Sequence, residues 1–125
     1  MTIDRDAFLK PVPVPMEEVQ VPALNGSVWV KGFTAGERTR FEESLRTSDK
    51  VSRRKQRQMR ERLVVAMACD KDGNKLFTEY DVEKLSAQSY VVLEPVVEVC
   101  LRLSGLAGDD AEELTKNSES VDDAA

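Results

Sequence analysis

Histidine is missing altogether from the 125 residues. That absence removes the usual general base for serine and cysteine nucleophiles, and imidazole metal ligands with it. No Walker-type phosphate loop occurs, and Gly26, Gly32 and Gly36 do not form a dinucleotide fingerprint. Carboxylates are plentiful, but they fall on expected surface helices and tails where no cleft would pair them. The chain is therefore expected to be no enzyme and to carry no cofactor. Cysteine is scarce: Cys69 and Cys100 lie far apart in helical patterns, and neither has a CxxC partner. Both read as reduced core thiols of a cytoplasmic protein. Long apolar runs are also lacking. The longest, Tyr90 to Leu103, is about 14 residues and contains Glu94, Glu98 and Arg102, against the roughly 20 needed to span a bilayer. Met1 to Lys10 mixes acids and bases without an apolar run, so no secretory signal and no membrane partner are expected.

Charge is abundant but segregated. The net charge is −5, yet residues 31–63 hold eleven bases against five acids, and residues 64–125 hold five bases against fourteen acids. A basic middle and an acidic end suit self-association or an oppositely charged partner. Asp70, Asp72, Asn74 and Asp81 resemble a calcium loop. The pattern needs glycine at its sixth position, where Lys75 stands, and Asp81 replaces the usual terminal glutamate. A polar turn using Asp-Gly and Asn chemistry is the better reading, so no metal site is expected.

Pro11, Pro13 and Pro15 alternate with valines and favour an extended arm over residues 1–16. Val19, Val21, Val28 and Val30 follow a period of two around Asn25-Gly26, which predicts a β-hairpin over about residues 17–33, with Pro22 ending its first strand. Thr34-Ala35-Gly36-Glu37 is a capping box, opening a helix to about Arg46 with Phe41 and Leu45 on its apolar seam and Phe33 stapled near Phe41. Val51 to Cys69 reads as one helix: a basic half with Arg53, Arg54, Lys55, Arg57, Arg60 and Arg62, then a buried half with Met59, Leu63, Ala66 and Met67. Leu76-Phe77 re-enters the core, a short helix runs from about Thr78 to Leu85, and Ser86 is the next cap. Tyr90, Leu93, Val96, Val97, Cys100, Leu101 and Leu103 then keep helical spacing to Gly105, with Pro95 either kinking the helix or starting a second segment. The fold class is α+β, mainly α: an N-terminal β-hairpin followed by three to four helices (17–106), with a disordered acidic tail over 107–125.

The carried pieces, in order, are Val28-Trp29-Val30, Phe33-Thr34-Ala35, Glu37-Arg38, Phe41-Glu42, Arg60 and Leu63, Cys69-Asp70 with Gly73, and Leu76-Phe77. Asp81-Val82, Leu85, Leu103-Ser104-Gly105-Leu106, Glu112-Glu113-Leu114 and Lys116-Asn117 complete them. This succession resembles the tail assembly chaperone family of long-tailed, siphovirus-type bacteriophages over roughly residues 17–117. Pro95 departs from the simple long helix expected there. The resemblance implies a protein of the host cytoplasm that coats the helical tape measure protein before tail tube protein polymerises around it, then leaves. It also implies a homo-oligomer. The expected contact surface is Tyr90, Leu93, Val96, Val97 and Leu101, steered by Arg53, Arg54, Arg57 and Arg60. Two other readings compete: a head–tail accessory protein that stays in the virion, and a nucleic-acid-binding regulator using residues 53–62. The last is disfavoured, because no aromatic residue interleaves the cluster and the whole chain is acidic.

Members of the family are often made in a short form and a frameshift-extended form, and Thr115, Lys116 and Asn117 mark the matching position. Encoded ACA-AAA-AAC, they contain a heptamer that lets both tRNAs re-pair one base back. The gene is expected to read so, with a fraction of product extended beyond Asn117. Sequencing these codons checks it, and any other codon set removes the slip.

Overall fold

The computed structural model of the chain describes residues 1–47 and 50–106. The expected acidic tail, with Thr115, Lys116 and Asn117, lies outside the described residues. An antiparallel hairpin pairs β1 (Met16–Val21) with β2 (Gly26–Lys31), in the register Val19 to Val28 and Glu17 to Val30. Alternation does what it should: Val19, Val21 and Val30 are buried while Glu18 and Gln20 are exposed. Pro22 ends β1 by opening a short 3-10 turn over Pro22–Leu24, and Asn25 closes it in the left-handed region at φ 53°. Asparagine tolerates that conformation better than most residues. Beyond β1 the backbone stays paired, since the Gly32 amide donates to the Pro15 carbonyl at 2.8 Å. A Cβ on Gly32 would sit 3.2 Å from the Pro15 ring, so glycine lets the two backbones approach.

The arm is not extended throughout. Residues Arg5–Leu9 form a short helix, α1, because the Asp4 carboxylate accepts from the Ala7 amide at 2.8 Å and caps it. The prolines begin only after this turn. None of the residues of α1 is buried.

Helix α2 (Ala35–Ser44) starts at the expected capping box. Thr34 Oγ1 accepts from the Glu37 amide at 3.1 Å, and Glu37 Oε1 accepts from the Thr34 amide at 2.9 Å. The Phe33 and Phe41 rings lie 5.8 Å apart, as the staple requires. A two-residue ladder follows, β3 (Arg46–Thr47) with β4 (Lys50–Val51).

The expected single helix over 51–69 is instead two helices and a strand. Helix α3 (Arg53–Arg57) is capped by Ser52, whose Oγ accepts from the Lys55 amide at 3.3 Å. Gln58, at φ −96° and ψ 13°, leaves helical geometry and joins it to α4 (Met59–Met67). Ala68–Cys69 then turns extended as β5 and adds to the open edge of β2, with Trp29 opposite Cys69 and Val30 opposite Ala68. The sheet order is β1-β2-β5. Apolar periodicity cannot separate a helix end from a two-residue strand.

The turn after β5 is built by Asp70. Its carboxylate accepts from the Asp72 amide at 2.8 Å, the Asn74 amide at 3.0 Å and Asn74 Nδ2 at 3.3 Å, while Gly73 takes φ 86°. These bonds, first the one from the Asn74 amide, hold the carboxyl below its ordinary range. A 3-10 turn at Glu79–Asp81 leads into α5 (Val82–Ser86), so Ser86 ends one helix and does not cap the next. Ser89 occupies the N-cap of α6 (Tyr90–Ser104), which runs unbroken through Pro95 to Gly105, at φ 79°.

Helix α6 lies against α4, β1 and β2. Between them Val30, Leu63, Met67 and Cys100 are all but sealed from solvent. Burial drives the Cys100 thiol up to about 12, with Cys69 adding to the effect, and burial raises Cys69 as well. Both thiols are free and buried, but only Cys100 is on a helix; Cys69, expected in a helical pattern, lies on β5. Leu63, on α4, has no exposed surface. Leu63→Ala is expected to lower unfolding free energy by about 2–5 kcal/mol through lost transfer energy and a residual cavity, read from the urea midpoint at unchanged denaturant slope.

Candidate partner-binding surfaces

Helix α6 sorts its own residues. Val96, Val97, Cys100 and Ser104 face inward, while Val91, Glu98 and Arg102 face outward. Of the expected contact surface, Tyr90 is 64% exposed, but Val96 and Val97 keep only 5% and 3% of their surface. Leu93 and Leu101 are half-buried against the core. The expectation that this stripe faces a partner is corrected for Val96 and Val97, because the three-stranded sheet and α4 already cover them. Among the described residues, surplus apolar surface is found at Tyr90 and Val91 in the first turn of α6, at Leu24 in the hairpin turn, at Tyr80, and at Met1, Ile3, Phe8, Leu9 and Val12 on the arm. Leu76, expected to re-enter the core with Phe77, is also exposed, at 47%, and only Phe77 packs against the core. A large apolar residue among turn or proline signals was the available clue.

Leu24 and the first half of α6 border an open groove of about 330 Å³, floored by Val21, Val28, Val64, Phe77, Leu85, Val92, Leu93 and Val96. Its only side-chain amide is that of Gln88. Leu93 and Val96 meet here; Val97, Leu101 and the four arginines do not line it. Such a cleft, between a hairpin and three helices, suits an apolar ridge from another chain better than a charged small molecule.

Arg53, Arg54, Arg57 and Arg60 are all exposed, on α3 and the first turn of α4. Their backbone is tied to α5 through Glu83. Its carboxylate accepts from Gln58 Nε2 at 2.7 Å and from Arg54 Nη2 at 3.3 Å, and Gln58 Oε1 in turn accepts from Arg62 at 3.1 Å. A second ion pair, Arg102 to Glu17 at 2.9 Å, ties α6 to β1.

Comparisons with protein-family models, with curated proteins and with solved structures gave no match. Among the described residues no group of carboxylates and thiols is arranged to hold a metal ion, and no helix is long and apolar enough to cross a membrane.

The bond from Gln58, then the bond from Arg54, lowers the pKa of Glu83 from its ordinary 4.5. A depressed carboxylate stabilises the fold fully above its unfolded value, and the contribution fades as pH falls through the lowered one. A side-chain carboxyl titration by NMR is expected to place the Glu83 midpoint below 4.5. Gln58→Ala should move that midpoint back upward.

Proposed function

We propose that this chain is a tail assembly chaperone of a long-tailed bacteriophage: it binds the tape measure protein in the host cytoplasm, keeps it soluble, and aids tail tube polymerisation without entering the virion. It acts by binding and not by catalysis. Support comes first from the ordered motifs, and then from a fold of the expected class, a hairpin followed by helices.

The observation that carries the reading is the apolar groove between the hairpin and α4, α5 and α6, with Leu24 exposed on its border, while Tyr90 and Val91 are exposed on the adjoining first turn of α6. A tape measure helix presents apolar stripes that aggregate while uncovered. A groove in which small and medium apolar side chains surround an open slot can take such a stripe at i, i+3 and i+4 spacing. Val96 and Leu93 thus contribute to the groove's floor. The exposed arginines on α3 and α4 steer an acidic segment of the partner toward this face by long-range attraction, and that contribution weakens with salt. Homo-oligomerisation, through the exposed arm or the first turn of α6, would repeat the groove along a long helix and raise avidity without any new contact.

The test is co-expression with a tape measure protein. Leu24→Asp and Val91→Asp, both at exposed positions, should each cut the soluble yield of that protein several-fold while circular dichroism of the variant stays unchanged. Lys71→Asp in the outlying turn serves as the control and should have no effect. Unchanged solubilisation by both aspartate variants overturns the reading, and stoichiometric recovery of the chain from purified particles assigns it to the head–tail accessory class instead.

A further inference from the structure

A second groove, of about 560 Å³, lies between α2, α4 and the segment 75–82. Its floor is apolar, with Phe41, Ala66 and Phe77, and its rim carries Arg40, Arg62 and Lys75. Two acids also line it, Glu37 and Glu79. Glu37 is spent on the α2 cap, where it accepts from the Thr34 amide at 2.9 Å, and that bond first, with Lys31 and Arg40 further off, holds it ionised below its ordinary range. The rim is thus a cationic arc around one engaged and one exposed carboxylate. Arg62 adds a specific signal. Its Nη2 reaches Gln58, but its Nε is buried and has no hydrogen-bond partner among the described residues. A buried donor left unpaired is costly unless an acceptor arrives.

The described chain ends close by. Leu106 is buried, its amide held by the Leu101 carbonyl at 3.1 Å and by Ser104 Oγ at 3.2 Å. A Cβ built on the preceding Gly105 would lie 3.1 Å from Arg38 Nη1, so the chain leaves the core beside α2. Residues 107–125, outside the described structure, carry seven acidic side chains and one lysine, with Leu114 directly after Glu112 and Glu113. Arg38 and Arg40 lie on different sides of α2, whose diameter with side chains is about 10–12 Å. The six residues from 107 to 112 can span about 20 Å, enough to pass around the helix.

We propose that the groove between α2, α4 and residues 75–82 is a docking site for an acidic segment with an apolar anchor, and that its resident occupant is the chain's own residues 107–125. Glu112 and Glu113 meet the Arg40–Arg62–Lys75 arc, and Leu114 covers the Phe41–Phe77 floor. Charge-assisted bonds to arginine are the strong kind, and tethering makes the encounter intramolecular, so weak individual contacts suffice. The proposal does not depend on the tape measure reading. Its consequence is that an acidic partner segment reaches this groove only by displacing the tail.

The full chain carries the test. Cys69 and Cys100 are buried, so a thiol-reactive nitroxide on Ser118→Cys labels one site. Amide signals of Arg40, Ser44 and Lys75 should broaden selectively. The broadening should vanish in Glu112→Lys with Glu113→Lys, both outside the described residues. It should also vanish on raising ionic strength from ~0.1 M, with screening over about 10 Å, to ~1 M, with about 3 Å. Absent broadening, or broadening spread evenly over the basic surface of α3, overturns the proposal. So does broadening that arises only from nitroxide carried on a second, isotopically silent copy, which would make the occupant a neighbouring chain's tail.

Discussion

The packing of α6 across the inner face of the β1-β2-β5 sheet, with α4 alongside, is the constraint on which the rest of the molecule depends. A two-stranded hairpin is marginal in water by itself, and α4, at nine residues, is too short to persist alone. Each is stabilised by burying its apolar face on the others. Val30 of the sheet, Leu63 and Met67 of α4 and Cys100 of α6 are left with 0–1% of their surface. Pro95 measures the strength of this arrangement. It removes one helical hydrogen bond and crowds the preceding turn, at about 3 kcal/mol or more in an ordinary helix interior. Yet α6 continues through it, because Val96, Val97 and Cys100 just beyond it are buried. The carbonyl it leaves unpaired belongs to Val91, an exposed residue, where water can serve as the partner.

The same packing decides what is left for other molecules. Once α6 commits its Val96–Val97 face inward, the two grooves described above differ in chemistry, and Phe77 contributes to both. One is walled by valine and leucine; the other is rimmed by arginine and lysine over phenylalanine. The basic surplus of residues 31–63 is displayed in two places: on α3, where Arg54 is bonded to Glu83 of α5, and at Arg40 and Arg62 on the rim of the second groove. Capping and turn chemistry confine the acids of the folded part. Glu37 serves α2, Asp70 its own turn, and Asp81 accepts from the Thr78 amide at 2.9 Å at the start of its turn. Seven of the chain's 23 acids lie past Leu106.

Local signals were decisive where the physics is local. The Thr34–Glu37 box, the Asn25 turn, Pro22 as a strand terminator, the Asp70 turn and the Gly105 stop depend on residues within a few positions of one another, and their chemistry is the same in peptide and protein. The hairpin followed from a period of two, and its register came from the paired strands. The short helix α1 has one local mark, the Asp4 cap, beside three prolines that favour an extended arm. The break at Gln58 and the strand Ala68–Cys69 have no comparable local mark. β5 exists because β2 offers an unpaired edge at that height, a fact about the sheet and not about alanine and cysteine.

By itself, then, the sequence determined the class of the fold, the helix and turn boundaries set by caps and glycines, the separation of charge, and the lack of histidine chemistry. Which side of α6 is covered was decided only by the tertiary structure. A valine-rich helix with apolar residues around most of its circumference offers several faces of similar hydrophobicity, and hydrophobic attraction is non-directional. The choice falls to shape: the face that meets the sheet and α4 is buried, and the first turn, which overruns them, keeps Tyr90 and Val91 in solvent.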